Sequence, residues 1–279
     1  MSELRDPLRD FDPTRLRRTV LRMAYAGSTV HIACAFSLIE ILSVLYGRHL
    51  RLGAEPDAPG RDYLVLSKGH GVMAQYACLY ELGWLTDSDL DNYFADGTQL
   101  KGLSDAHVPG LDVTSGSLGH GLSVGVGLAY AAQRDGTGQQ VYAIVGDGEL
   151  NEGPIWEALM FASHHQLDNL TVIVDENRYQ AMGTTDEIIR LGDIRAKLEA
   201  FGCLTVNVDG HDAHALDQAL DSLRADTSTQ PRAIVARTVK GQGVSFMSTD
   251  NRWHYTRLDP DTLAAAAAEL ADEASVAGS

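Results

Sequence analysis

Two kinds of apolar run alternate along the second half of the chain. QVYAIV (140–145), LTVIVD (170–175), LTVNVDG (204–210) and AIVART (233–238) are short and rich in β-branched residues, as strands buried on both faces are. Between them, PIWEALMFASHH (154–165), DIRAKLEAFG (193–202) and ALDQALDSLRA (215–225) space their apolar residues at helical intervals. This alternation predicts an α/β fold, a parallel sheet with helices on both faces. The first half is less regular. Residues 14–26 are basic and amphipathic, 35–47 form an apolar helical run, 70–82 (HGVMAQYACLYEL) read as a further helix, and 122–133 as a helix of small residues. Residues 95–121 are glycine-rich and polar and end in SGSLGHG. A connection that long points to function.

No internal repeat or linker interrupts 27–257, so one domain is expected over 14–260, with an N-terminal extension over 1–13 and a C-terminal tail over 261–279. The tail, TLAAAAAELADEASVAGS, favours helix but gives way to small polar residues, and disorder is expected at its end.

Composition narrows the classes. Of 279 residues, 44% are apolar, enough for a sizeable core. The formal net charge of −16 argues against non-specific nucleic-acid binding, since no basic surface would neutralise phosphates. Cys34, Cys78 and Cys203 stand in apolar surroundings at no metal-ligand spacing, as buried thiols in a reducing compartment do. No apolar run reaches the roughly 18 residues of a membrane span. The first residues are charged and include Pro7 and Pro13, unlike a signal peptide. A cytoplasmic protein with no membrane contact is expected.

The main chemical signal is Gly146-Asp147-Gly148, directly after VYAIV. In open α/β sheets ligands bind where strands end, glycines let the backbone come close, and an aspartate there can hold a hard cation. Alone, the triplet is more often a simple turn. The second part, Asp175-Glu176-Asn177-Arg178-Tyr179, ends the next strand. Adjacent parallel strands would bring Asp147 and Asn177 together across 30 positions of sequence, offering oxygen ligands to Mg²⁺. A helix starting near Gly153 would aim its N–H groups into the same crevice.

A GDG triplet followed by an asparagine at the next strand end resembles the thiamine-diphosphate fingerprint. The surrounding GDGELNEGPIWEALMFASHHQLDNLTVIVDENRYQAMG resembles transketolases, above all the N-terminal subunits of split transketolases, and the similarity extends from about residue 26 to 254. It implies the thiamine-diphosphate-binding fold with thiamine diphosphate and Mg²⁺ as cofactors. Asp147, Asn177 and the Tyr179 carbonyl would be the metal ligands and Gly148 a diphosphate contact. Glu152 would join a subunit-interface network, and Gly116, Ser117 and Leu118 would touch the aminopyrimidine. His120 stands where the family usually has glutamine.

A histidine in an apolar stretch is more often hydrogen-bonded core. The resemblance raises three above that. His70 lies in an LSKGH segment, His254 matches a histidine that reaches diphosphate and substrate, and His31 falls near the family's early active-site histidine. The motif around His31 is altered, with Ile32-Ala33 for the usual Pro-Gly. In LKGLSDAHVPG (100–110), Leu103 replaces a histidine that helps bind the ketose donor's hydroxyls, a role leucine cannot fill. An ionic or a merely structural role is open to His107, and surface or capping roles are expected for His164, His165, His211 and His214.

The resemblance further implies transfer of a two-carbon ketol unit from a ketose-like donor to an aldehyde, with His31, His70 and His254 assisting. In transketolases the cofactor-activating glutamate and the pyrimidine's aromatic bed come from a second α/β domain, and this chain ends soon after His254. A pyrimidine-binding C-terminal transketolase-like subunit is therefore expected as partner, in a heterotetramer. Alternatives are transfer of a two-carbon unit to a carrier protein, as in 2-oxo-acid dehydrogenases, and a non-catalytic cofactor-binding module. A nicotinamide site is disfavoured, since no GxGxxG opens a helix after the first strand.

Overall fold

Successive residues of a strand point to opposite faces of its sheet, and here both faces are covered. The computed structural model describes residues 10–27 and 30–277, with side chains as far as residue 271. The main sheet comprises β1 (Tyr63–Leu66), β2 (Val141–Gly146), β3 (Leu170–Glu176), β6 (Leu204–Asp209) and β7 (Arg232–Arg237), all parallel, in the order β1-β2-β3-β7-β6. The short strands β4 (Tyr179–Gln180) and β5 (Gly183–Thr184) form an antiparallel hairpin just beyond β3. Tyr142, Ile144, Ile173 and Ile234 face one buried cluster, shared with the helices Pro13–Ala26, Ile39–Val44, Val72–Glu81 and Ala213–Ala225. Val141, Ala143, Val145, Val172 and Val174 face the other, with Gly121–Asp135, Gly153–His164 and Ile194–Ala200. The expected α/β sandwich is present, and Cys34, Cys78 and Cys203 are buried and free.

The differences have physical causes. Strand β1 lies in the stretch read only as a histidine motif; four residues are too few to show a period, and pairing with β2 makes it a strand. The apolar run over 35–47 is broken into Ile32–Phe36 and Ile39–Val44, followed by a π turn over Leu45–His49. The break falls at Ser37, whose hydroxyl donates to Asp175 at 2.7 Å.

Both ends join the domain more closely than expected. Phe11 is buried against Tyr46, and Asp12 caps the first helix by accepting from the Arg15 N–H at 2.7 Å. The helix Pro260–Ala277 packs on the first helix and buries Ala266 and Leu270 completely. Full burial of a leucine contributes about 1.5–3 kcal/mol, so the segment taken as a tail is part of the core. Where disorder is expected toward the end of that tail, the backbone is helical as far as Ala277; residues 278–279 and most of the extension lie outside the described residues.

Candidate functional site

Register decides what meets at the top of the sheet. Gly146 of β2 lies beside Asp175 of β3, and Leu66 of β1 beside Ile144 of β2, so the segments after all three strands converge. The chain turns at once after β2 into a 3-10 turn, Gly148–Asn151. Asp147 at its head is buried; its Oδ1 accepts from the Gly148 N–H at 2.7 Å and its Oδ2 from the Arg178 N–H at 2.5 Å. Burial, and then repulsion from Asp175, push its carboxyl up to about 7. A carboxylate so placed is stabilised by a cation.

Asp175 is the hub beneath it. Fully buried, it accepts from Ser37, Thr238 and the Asn177 amide and forms an ion pair with the buried Lys68. Burial alone would raise its carboxyl, but the Lys68 ammonium together with the hydroxyls of Thr238 and Ser37 outweighs burial and holds it below the usual range. Because Asn177 Nδ2 donates to Asp175 at 3.1 Å, its Oδ1 is left as the acceptor. That oxygen takes the Tyr179 N–H at 3.0 Å and keeps a lone pair. Asp147 and Asn177 line one cavity of about 390 Å³, and a carboxylate with an amide oxygen suits Mg²⁺. Above Gly148 lies Gln180, whose Nε2 is buried without a partner and can donate to an anionic oxygen. A Cβ on Gly148 would come within 2.7 Å of that side chain. These residues fit a diphosphate–Mg²⁺ group.

Glu149, also buried, ties the surrounding loops together. It accepts from Ser67 at 2.5 Å, from the Gly119 N–H at 2.8 Å and from the Gly146 N–H at 3.1 Å. The SGSLGHG loop is thereby fastened to the ends of β1 and β2. Gly119 has φ +86°, and a Cβ there would lie 2.6 Å from that of Glu152, so a side chain is barred twice over.

The three histidines gather from distant segments. Ring centroids are 5.2 Å apart for His31 and His70, 5.4 Å for His31 and His254, and 5.8 Å for His70 and His254. Burial first, then the Lys240 and Lys68 ammonium groups, lowers His31 to about 4. Burial and then Lys240 lower His254 to about 3, and burial holds His70 well below the usual imidazole range. All three are neutral at pH 7. Lys240 Nζ lies 3.0 Å from His254 Nδ1; an ammonium can only donate, so the proton of this imidazole sits on Nε2.

The loop bearing Lys240 is held from below. The Val239 N–H donates to His211 Nε2 at 2.8 Å, and His211 Nδ1 lies 2.9 Å from Glu40. Arg17 pairs with Glu40 at 2.6 Å and donates to the Gln242 carbonyl at 3.0 Å. His211, expected at the surface or in a cap, thus serves a partly buried network. The exposed His214 caps no buried group, and His107 is exposed beside Asp105. His120 bonds locally to Ser117 and the Leu118 carbonyl, and His165 packs on Phe161.

Of the residues singled out in sequence, Asp147, Gly148, Asn177 and Tyr179 line the same cavity as His31, His70 and His254, together with Gly116 and Leu118. Ser117 and Glu152 are exposed outside it, and the 3-10 turn, not the helix starting at Gly153, lines the crevice. Sequence reasoning missed Lys68, Glu149, Asp175, Gln180 and Lys240. Lys68 and Glu149 stood inside recognised motifs, LSKGH and GDGE, but nothing local revealed their partners.

Among known families, residues 19–275 match the transketolase, thiamine diphosphate binding domain. The chain is 36% identical to an apulose-4-phosphate transketolase subunit of Actinobacillus succinogenes, covering 92% of this chain and 93% of that one. It is 39% identical to a 6-deoxy-6-sulfo-D-fructose transketolase subunit of Clostridium sp., over 88% and 89%. The crystal structure of transketolase from Campylobacter jejuni superposes with a TM-score of 0.84 at 28% identity, covering 94% of this chain and 42% of that one. Transketolase from Leishmania mexicana gives 0.84 at 30% identity, over 93% and 40%.

Proposed function

Because the chain belongs to the transketolase family, through its thiamine-diphosphate-binding domain, we propose that it is the diphosphate- and Mg²⁺-binding subunit of a two-component transketolase-like enzyme. This enzyme moves a two-carbon ketol unit from a ketose-like donor to an aldehyde acceptor. The observation that carries the reading is one shared cavity: Asp147 and Asn177 at adjacent strand ends face the same space as His31, His70 and His254. When bound, thiamine diphosphate supplies the nucleophilic carbon.

The chain's own residues would hold the diphosphate and metal and handle protons at the substrate. Asp147, Asn177 and the Tyr179 carbonyl would hold Mg²⁺, and Gly148 and the Gln180 amide would meet diphosphate oxygens. Neutral imidazoles can both accept and return protons at substrate oxygens. His254, with its proton on Nε2, can donate a hydrogen bond from that atom to a substrate oxygen. Burial, and after it the Lys68 and Lys240 ammonium groups, keep the cluster neutral, and the two lysines favour the approach of an anionic group.

The names of the two split relatives support a second, partnering component and a sugar-derived substrate. Exposed Glu152 and Ser117, and exposed Val124, Met160 and Phe161 on two packed helices, offer that partner a face. A heterotetramer would set each cofactor between unlike chains. No described helix is long and apolar enough to cross a membrane; a cytoplasmic site suits the three free thiols.

Calorimetry of the reconstituted complex tests the metal assignment. Asp147→Ala and Asn177→Ala should each abolish Mg²⁺-dependent binding of thiamine diphosphate while the fold persists, and wild-type affinity in either variant would overturn it. Sedimentation with an activity assay tests the partnership. Full turnover by this chain alone, free of any partner, would overturn the two-component reading.

A further inference from the structure

Beside the histidine cluster a second cavity, of about 360 Å³, opens from the same crevice, since His31 and Leu103 line both. Its walls include Phe94, Leu103 and Tyr255, which are 40%, 43% and 55% exposed, far more than large apolar groups in the rest of the core. Phe94 has φ +60°, a left-handed conformation that side chains disfavour and that clusters at functional sites. Both aliphatic and aromatic walls are seated on glycines. A Cβ on Gly102 would lie 3.3 Å from the Phe94 ring, and one on Gly116 would lie 2.8 Å from Leu103 Cδ1. The Tyr255 ring is 4.6 Å from that of His31. Lys101, also lining the cavity, spends its ammonium on the Thr98 carbonyl at 2.6 Å.

We propose that this cavity is a specificity pocket that receives an apolar carbon substituent, alkyl or branched, of the aldehyde acceptor in place of a polyhydroxylated chain. The proposal rests on the reading that the carbonyl reacts at the His31, His70 and His254 cluster. A hydroxyl pressed against Leu103 and Phe94 loses its water and gains no partner. An alkyl group gains from the same surface. Leu103 is thus one part of a continuous apolar wall, and the loss of a histidine there is matched by Phe94 and Tyr255 around it.

The test uses the complete complex with partner, thiamine diphosphate and Mg²⁺, hydroxypyruvate as donor, and butanal, glycolaldehyde and D-erythrose as acceptors. The wild type should favour butanal over D-erythrose in kcat/KM. Phe94→Ser should lower the butanal-to-glycolaldehyde ratio about tenfold, and Leu103→His should shift preference toward D-erythrose. Preference for D-erythrose in the wild type, or an unchanged ratio in Phe94→Ser, overturns the proposal. Calorimetric binding of thiamine diphosphate, measured on the same variants, separates this from failure of the cofactor reading. Saturation-transfer NMR with 3-pentanone, which needs no turnover, gives a second measure. Transfer that disappears in Phe94→Ser supports the pocket, and its absence in the wild type overturns the proposal even if the complex is inactive.

Discussion

Around Asp147 and Asn177 almost every polar side chain is buried and partnered; around Leu103 large apolar side chains stand in solvent. Lys68, Asp147, Glu149, Asp175 and Asn177 are all buried at the first, and Phe94, Leu103 and Tyr255 are all exposed at the second. The first is built on strand ends, whose register leaves little freedom. The second is built on the loops around residues 94–103 and 251–255, outside the sheet. Cofactor chemistry demands fixed oxygen donors, while substrate choice is set by loops a rigid scaffold can vary. The difference teaches that stability and specificity are housed in separate parts of one cavity.

The comparison breaks most sharply at Lys68. Lys68→Met leaves Asp175 charged, buried and without its ion pair, and should cost about 3–5 kcal/mol. Urea denaturation measures it; a loss under about 1 kcal/mol would mean that the polar end is not locked by this pair.

The histidine cluster between the two ends should show next in pH. The folded chain keeps His31 neutral down to about 4 and His254 down to about 3, while unfolded histidines take up protons near 6.5. Protons therefore favour the unfolded state, so stability should fall as pH drops from about 6.5 toward 4. Denaturation midpoints across that range should decline, and less steeply in His31→Asn. Asp147, pushed up to about 7 in the fold, works in the opposite sense in both proteins, so the comparison is what decides. An equal slope in His31→Asn and the wild type would show that His31 is not desolvated.

A smaller effect is expected beneath Lys240. His211→Ala removes the acceptor for the Val239 N–H and one partner of Glu40, and should cost about 1–2 kcal/mol. Hydrogen exchange at the Val239 amide should accelerate, and His211→Gln should restore part of the protection. Unchanged exchange in His211→Ala would remove this network from the account of the loop.

Smallest of all is the change at the apolar end. Phe94→Gly relieves a positive φ and gives up the ring's packing beside Tyr93, so the two should offset to within about 1 kcal/mol. A thermal melt that shows a loss as large as that of Lys68→Met would erase the contrast between the two ends.

The alternation of buried strands and helices, Gly146-Asp147-Gly148 and Asn177 at neighbouring strand ends, and the three histidines were all legible along the chain. Each is a local pattern or a motif, and parallel pairing turns positions at strand ends into neighbours. Strand β1 was not legible, because four residues carry no period of their own. Neither were Lys68 against Asp175, 107 positions apart, nor Glu149 reaching Ser67, nor His211 beneath Val239. Local sequence contains the side chains but not their partners, and a buried charge is tolerated only where the fold supplies the opposite one. The apolar wall of Phe94, Leu103 and Tyr255 was hidden for the same reason. Phe94 and Tyr255 read singly as ordinary residues and Leu103 only as a replaced histidine, and only the tertiary packing beside His31 leaves all three facing open space around one cavity.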